Sequence, residues 1–135
     1  MAVLDTSAIN SPGFNKYAGL MGIRFVEWEA GRCVAELDAG PHLHHPGGIV
    51  HGGVAFGLID SAMAHAIIAT LDDGMNCSTI ELKISYLSAV REGLMRAEAT
   101  ILKKGRTVAF VEGKVECDGK LVATATASFA IHPLR

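Results

Sequence analysis

The chain has 135 residues, half of them hydrophobic and 19% charged. This composition excludes a disordered protein and is sufficient for one domain with its own core. A formal net charge of −2 gives no reason to expect a nucleic acid or an anionic membrane as a partner. Met1–Pro12 lacks a basic region followed by an apolar run, and no apolar stretch reaches the roughly 18 residues of a membrane helix. Because the three cysteines are also odd in number and far apart, the sequence predicts a cytoplasmic location.

The first elements in chain order are a short helix and two strands. Residues 1–18 are expected to be an irregular segment, apart from a short helix at Phe14–Leu20, and residues 19–135 are expected to form the folded domain. Strands are predicted at Gly22–Glu29 and Arg32–Asp38, because small or apolar residues alternate with charged residues along the second of them.

A long helix is predicted after a loop rich in His, Pro and Gly. Gly52–Leu71 is apolar almost without interruption, and its alanines and its length favour helix over strand. Because apolar residues occur nearly all round, this helix is expected to be buried. The sequence Asp72-Asp73-Gly74 is expected to end it.

The second half of the chain predicts four antiparallel strands in a row. The connections Lys104-Gly105-Arg106 and Asp118-Gly119 are short, and the second is a good two-residue hairpin turn. One buried helix and this run of strands indicate an α+β fold in which a curved antiparallel sheet wraps a long central helix. The predicted strands are Ile80–Tyr86, Met95–Ile101, Thr107–Cys117 and Leu121–Ile131.

Asp60 is the only acid of the predicted helix. An ionised carboxylate in apolar surroundings costs several kcal/mol unless it is hydrogen-bonded or paired. Two interpretations are open at this point. Asp60 is either a reactive group or a structural one, which caps a local turn or pairs with His65 or with an Arg or Lys elsewhere.

Two glycines, Gly52 and Gly53, stand where the helix is predicted to begin. A helix N-terminus presents unpaired N–H groups, and glycine lets a substrate carbonyl come close to them, although the pair is equally consistent with a tight turn alone. Gly53 and Asp60 are seven residues apart, about 10 Å along a helix. If both act on one carbonyl, they belong to different subunits, and the protein is predicted to be at least a dimer with two equivalent sites.

These residues resemble a known family. They form a pattern similar to that of hotdog-fold acyl-CoA thioesterases, closest to the phenylacetate-degradation branch. The pattern consists of a polar residue, Pro, any residue, Gly, two further positions, His-Gly-Gly, and an acid seven places after the second of these two glycines. The resemblance extends from about Gly19 to Ile131. The matching segments are His45–Gly53, Thr79–Tyr86 and Leu102–Phe110.

The resemblance implies a hotdog fold, homodimers that often pair into homotetramers, and hydrolysis of acyl-CoA with no metal and no cofactor, coenzyme A being part of the substrate. Asp60 would be the nucleophile or the general base. Gly53 N–H would polarise the thioester carbonyl, and His51 with Gly52 would support the loop and contribute to binding.

Two further roles follow from the resemblance. Thr79, or Ser78 if the register slips by one residue, would position the attacking water. His45 stands where relatives often carry Asn or Gln, and a neutral imidazole still donates one hydrogen bond but brings a pH dependence of its own.

Binding residues for the rest of the substrate are less sharply indicated. Lys103, Lys104 and Arg106 are interpreted either as a solvated turn or as a site for the phosphates of coenzyme A. Phe56 and Met63 lie near Asp60 at helical spacing and are core residues, walls of an acyl groove, or both.

Other chemistries find little support in the sequence. His42, His44, His45 and His51 share one region, but no Cys or paired carboxylate joins them at a typical spacing, so no metal site is expected. There is no G-x-S-x-G elbow for a serine hydrolase.

The sequence therefore predicts an acyl-CoA thioesterase, with a non-catalytic acyl-CoA-binding sensor as the alternative and a dehydratase as a third candidate. Asp60 favours the enzyme, because binding alone gives no reason to bury a carboxylate. The choice among aromatic, medium-chain and hydroxylated acyl groups stays open, as does the tetramer arrangement.

Overall fold

A computed structural model describes residues 3–135, so Met1 and Ala2, where the predicted irregular segment begins, lie outside the described residues. Within residues 3–135 there are two helices and six strands, with one short 3₁₀ turn at Pro41–Leu43. In chain order the elements are α1 (Lys16–Met21), β1 (Arg24–Glu29), β2 (Arg32–Ala39), α2 (Gly52–Ile68), β3 (Met75–Tyr86), β4 (Gly93–Lys104), β5 (Val108–Cys117) and β6 (Lys120–Pro133).

The predicted short helix and the first two strands are confirmed within a few residues. The segment before α1 takes part in the core, because Ile9 is buried and the Asn10 side chain exchanges two hydrogen bonds with the backbone of Phe25. The helix α1 runs across the expected boundary between residues 18 and 19.

The six strands form one antiparallel sheet in the order β1-β2-β4-β5-β6-β3. The prediction of four consecutive neighbours was wrong for β3, which pairs with β6 and not with β4. The link 87–92 is too long for a tight hairpin, and Leu87 N–H and Ser88 N–H donate instead to the carbonyl of Val122 in β6. β3 is consequently an edge strand at the far side of the sheet.

The turn between β5 and β6 confirms the predicted two-residue hairpin. Asp118 and Gly119 have φ values of 50° and 82°, the left-handed conformation that a type I′ turn requires at both positions. The right-handed twist of the two strands matches this turn, so their register is set locally.

The helix α2 lies against the inner face of the sheet and supplies much of the core, as its apolar sequence predicts. It ends at Ile68, earlier than the predicted Leu71. The reason is local: Thr70 N–H donates to Ile67 O and Leu71 N–H to Ile68 O, so the last turn tightens into i to i−3 bonds. Gly74, expected to end the helix, has a φ of 84° and lies in the turn that leads into β3.

Gly113 allows the helix to approach the sheet closely. A Cβ atom there would lie 2.4 Å from Cδ1 of Ile59 in α2 and 2.9 Å from the carbonyl oxygen of Glu98. Its neighbours across the sheet, Ala99 and Ala125, are also small and buried. Among residues 3–135 no helix is long and apolar enough to cross a membrane.

Candidate active site

Asp60 lies in the middle of α2 and is only partly buried. Burial raises the pKa of its carboxyl group, while a hydrogen bond donated by Thr79 Oγ1 at 2.7 Å acts in the opposite direction. Within residues 3–135 no lysine, arginine or histidine forms a salt bridge with it. The ion-pair interpretation of Asp60 therefore finds no partner in the described chain.

His65, considered as a partner of Asp60, has a different role. It is buried, its ring packs 4.1 Å from the ring of Phe25, and its Nδ1 lies 3.0 Å from the carbonyl oxygen of Ser61 one turn earlier. Because a carbonyl only accepts, Nδ1 carries the proton. Burial lowers the pKa of His65, so this is a neutral core histidine.

The structure distinguishes Thr79 from Ser78. Side chains alternate along β3, and Thr79 points to the helix, where it meets Asp60. Ser78 points to the other face of the sheet, where its Oγ lies 2.6 Å from Nε2 of His132. The hydroxyl at Asp60 is that of Thr79.

Cys77 also faces α2, and its Sγ lies 3.7 Å from the carbonyl oxygen of Ala64. Burial, and then the charge of Asp60, raise the pKa of the thiol to about 11. The thiolate is the nucleophilic form of cysteine, so Cys77 is unsuited to attack a substrate near neutral pH.

The first turn of α2 begins at the His-Gly-Gly sequence. His51 is the N-cap residue, and its Nδ1 accepts a hydrogen bond from Gly53 N–H at 2.8 Å. Gly52 N–H has no acceptor among the residues that the structure describes. The N–H group assigned to the carbonyl from sequence, that of Gly53, is thus already bonded, whereas its neighbour is available.

His45 is held in a similar way. Its Nδ1 accepts a hydrogen bond from Gly47 N–H at 2.8 Å. A neutral imidazole with an accepting Nδ1 carries its proton on Nε2, so the remaining nitrogen is a donor. His45 can therefore provide the N–H that an Asn or Gln amide would offer.

A pocket of about 400 Å³ opens beside this helix start. Its lining combines His45, His51, Gly52 and Tyr86 with apolar side chains that include those of Ile49, Val90, Met95 and Val122. An apolar cleft with a few convergent polar groups is the usual form of a small-molecule site. Asp60 of the same chain is not part of this lining.

Comparison with known proteins identifies the family. The model of the thioesterase superfamily matches residues 47–124, more than half of the chain and the whole segment from the loop to β6. The chain belongs to the thioesterase superfamily. Its helix wrapped by a curved sheet is the hotdog fold, so the resemblance to hotdog thioesterases and the predicted fold class are both confirmed.

Individual relatives of this thioesterase agree with that assignment. A Saccharolobus solfataricus protein, whose name provisionally assigns it to the esterases, is 35% identical over 112 residues, which are 82% of this chain and 79% of the relative. The mouse acyl-coenzyme A thioesterase 13 is 29% identical over 115 residues, 83% and 80% of the two chains. A solved structure of a phenylacetic acid degradation-related protein from Ralstonia eutropha has a TM-score of 0.80 at 36% identity and covers 87% of this chain and 93% of its own.

The basic residues of the thioesterase lie at the β4–β5 hairpin, as predicted. Lys103, Lys104 and Arg106 are exposed, and Lys104 Nζ donates to the carbonyl oxygen of Thr70 at 3.1 Å. None of the three forms a salt bridge within the described residues. Their charges are therefore available to an anionic ligand.

Phe56 and Met63 differ in their exposure to solvent. Phe56 is 38% exposed, whereas Met63 is completely buried. Met63 is therefore a core residue and not a substrate wall of the single chain, while Phe56 remains accessible on the helix.

Three histidines of the loop each form a hydrogen bond with a different backbone group. His44 Nε2 lies 2.6 Å from the carbonyl oxygen of Arg91, and His45 and His51 bind backbone N–H groups close to them in the chain. In residues 3–135 no group of three or more His, Cys, Asp or Glu side chains is arranged to hold a metal.

Tyr86 is a residue of the candidate site that the sequence did not predict. Its hydroxyl donates to the carbonyl oxygen of Gly52 at 2.5 Å, 34 residues earlier in the chain. Alternation along β3 predicts only that Tyr86 lies at the end of a strand, because nothing local indicates which backbone group a tyrosine hydroxyl reaches.

Proposed function

We propose that this thioesterase hydrolyses acyl-CoA thioesters, with Asp60 of one protomer acting at a carbonyl bound by the helix start of another. The observation that carries the proposal is Asp60 itself, a carboxylate in a buried helix with a hydroxyl partner, Thr79, and no cationic partner among residues 3–135. A carboxylate left without a positive partner is free to act as a base or a nucleophile.

The reaction needs little general-acid assistance to the leaving group. In one route Asp60 removes a proton from water that attacks the thioester carbonyl, and the C–S bond breaks to give the free acid. In the other, Asp60 attacks the carbonyl itself, the C–S bond breaks, and water then hydrolyses the resulting anhydride to release the acid and restore the carboxylate. The released thiolate is a fair leaving group, because the pKa of a free thiol is about 8.5. Thr79, which bonds Asp60, holds the carboxylate in one orientation.

The carbonyl oxygen needs donors where its negative charge develops. Gly52 N–H supports this role because it is free at the start of α2, where the helix dipole adds partial positive charge. Gly53 N–H contributes less to binding the carbonyl oxygen, because it already donates a hydrogen bond to Nδ1 of His51. His45, through Nε2–H, supplies a second donor at the same pocket.

The donors and Asp60 act together only across an interface. Gly52 and Asp60 are eight residues apart in one straight helix, about 12 Å along its axis. Such a separation is too great for one carbonyl, so the proposed site combines two protomers with antiparallel α2 helices in a two-fold dimer. Two such dimers forming a tetramer remain part of the expectation.

Exposed surface supports this arrangement. β3 is a twelve-residue edge strand, and an unpaired edge is a ready template for another chain. Ile80 of β3 is 59% exposed and Phe56 of α2 is 38% exposed, so both elements offer apolar side chains that a second chain could cover. The basic hairpin, Lys103–Arg106, is proposed to bind the phosphates of coenzyme A.

The proposal is tested with acetyl, hexanoyl and phenylacetyl thioesters of coenzyme A in a free-thiol assay. Asp60→Asn retains an acceptor for Thr79 but not the reactive charge, and its kcat is expected to fall by more than about 100-fold. Asp73→Asn, an exposed acid beyond the same helix, is the matched control and is expected to keep wild-type activity. Equal activity of Asp60→Asn and wild type would refute the assignment, and tight binding without turnover of any thioester would favour a sensor.

A further inference from the structure

One peptide group at the start of α2 is held from both ends. The carbonyl of Gly52 accepts a hydrogen bond from Tyr86 Oη, and the N–H of the same peptide group, which belongs to Gly53, donates to Nδ1 of His51. His51 is a local partner, the cap residue of the helix. Tyr86 is a distant one and connects the helix start to the sheet.

The side chain of Tyr86 is fixed at its base. Tyr86 is the last residue of β3 and is in register with Ala123 of β6. The next residue, Leu87, donates its N–H to the carbonyl of Val122 at 2.8 Å. The phenol therefore projects from a backbone that is bonded on both sides of its Cα, and the ring contacts the helix start from a rigid support.

Gly52 is matched to this ring. A Cβ atom at Gly52 would lie 3.2 Å from Tyr86 Oη and 3.3 Å from Cζ, closer than most carbon contacts. Burial raises the pKa of the Tyr86 phenol, so the hydroxyl remains a protonated donor through the neutral range. The hydrogen bond and the packing of Tyr86 both act on Gly52, the residue whose own N–H is free.

From this geometry we infer that Tyr86 is a positioning residue, which holds Gly52 so that its N–H points at the thioester oxygen in the pocket. The inference rests on the proposed function. Preorganised donors matter most in the transition state, because that is where the oxygen becomes negative. Loss of the Tyr86 hydroxyl therefore lowers kcat more than it changes KM.

The test compares Tyr86→Phe with Tyr17→Phe. Tyr17 is the matched control, because it also lies over a glycine of α2, Gly57, and is similarly exposed, 46% against 51%. The structure describes no hydrogen bond from its hydroxyl to residues 3–135. With the most rapidly hydrolysed of the three thioesters, Tyr86→Phe is expected to lose roughly 3- to 10-fold in kcat, the effect of one neutral hydrogen bond, with KM within about 2-fold. Tyr17→Phe is expected to keep both constants.

Each other result contradicts the inference in a recognisable way. An unchanged kcat for Tyr86→Phe, an effect on KM alone, or an equal loss in Tyr17→Phe overturns it while leaving thioester hydrolysis intact. A loss of kcat that follows unfolding, measured by circular dichroism at the assay temperature, assigns Tyr86 a purely structural role and overturns it too. If the wild type hydrolyses none of the thioesters, the proposed function fails and this inference fails with it.

Discussion

Asp60 is subject to two opposing influences on its charge. Burial raises the pKa of the carboxyl group, and the hydrogen bond from Thr79 favours its ionised form. The ionised form is the one that acts as base or nucleophile. Activity should therefore fall as the pH falls through the raised pKa of Asp60.

Removing the Thr79 hydroxyl should move this titration in a defined direction. Without the hydrogen bond to the carboxylate, the pKa of Asp60 rises further, so the acid limb of kcat/KM is expected to move to higher pH in Thr79→Val. Ser78→Ala is the control, because Ser78 bonds His132 on the other face of the sheet. Profiles of kcat/KM against pH for the three proteins measure the effect. An unmoved limb, or movement to lower pH, would contradict the assigned contact.

The same burial should cost the protein stability. A carboxyl group whose pKa is raised on folding stabilises the fold below its unfolded pKa, and this contribution is lost as the pH rises through the folded pKa. At neutral pH the folded chain therefore carries an unfavourable buried charge. Asp60→Asn is expected to raise the midpoint of thermal unfolding at pH 7, and to show a smaller gain or none at pH 4, by differential scanning calorimetry. A lower midpoint at pH 7 would refute the account.

The sequence singles out Asp60 as the candidate reactive acid, and that role stays a prediction, but its surroundings could not be predicted. Asp60 was identifiable because it is the only acid in an apolar helix, and the choice between Thr79 and Ser78 depended on a single residue of strand register. Tyr86 was out of reach, because its partner is a backbone carbonyl that the fold, and no local pattern, brings to it.

At the scale of elements, the packing of α2 on the sheet depends on the missing side chain of Gly113. Gly113→Ala is expected to destabilise the fold by roughly 1–3 kcal/mol, the usual effect of an extra methyl group in a tightly packed core. Because the collision involves Cδ1 of Ile59, the double variant Gly113→Ala, Ile59→Val should recover part of the loss. Urea unfolding of the single and double variants gives the coupling. Strictly additive effects would show that the contact is not tight.

Strands and helices were easier to predict than their arrangement. The six strands were predicted, several of them from alternation, and Asp118-Gly119 set one hairpin, although β3 begins at Met75, five residues before the predicted start. The place of β3 could not be predicted, because its pairing with β6 joins residues about 40 to 60 positions apart and depends on how the link 87–92 crosses the sheet. Local patterns carry no information about such long-range pairing.

At the scale of the whole molecule, the two groups of the proposed site, Asp60 and the start of α2, do not meet within one chain. The pocket with Gly52 lies at one end of α2, and Asp60 lies two turns further along with its own hydroxyl partner. An exposed edge strand, β3, lies beside them. In the proposed dimer, a second copy of the chain would complete both halves at once.

Two inactive variants test this directly. Asp60→Asn removes the carboxylate. Gly52→Pro removes the free N–H. Proline suits this place, because Gly52 is the first residue of the helix. The residue before it, His51, has a φ of −59° and a ψ of 138°, which suit a residue that precedes proline. Gly52→Ala is the control for the added carbon, because it keeps the N–H group. Each of the first two variants is expected to be nearly inactive as a homodimer.

The decisive measurement is the activity of a co-refolded equal mixture of Asp60→Asn and Gly52→Pro chains. In a mixed dimer one site carries both defects and the other carries neither, so random pairing is expected to restore about a quarter of wild-type kcat. If the mixture, with mixed dimers shown to be present by native mass spectrometry, stays as inactive as its parents, then Asp60 and the helix start do not act across subunits, and the proposed site is wrong.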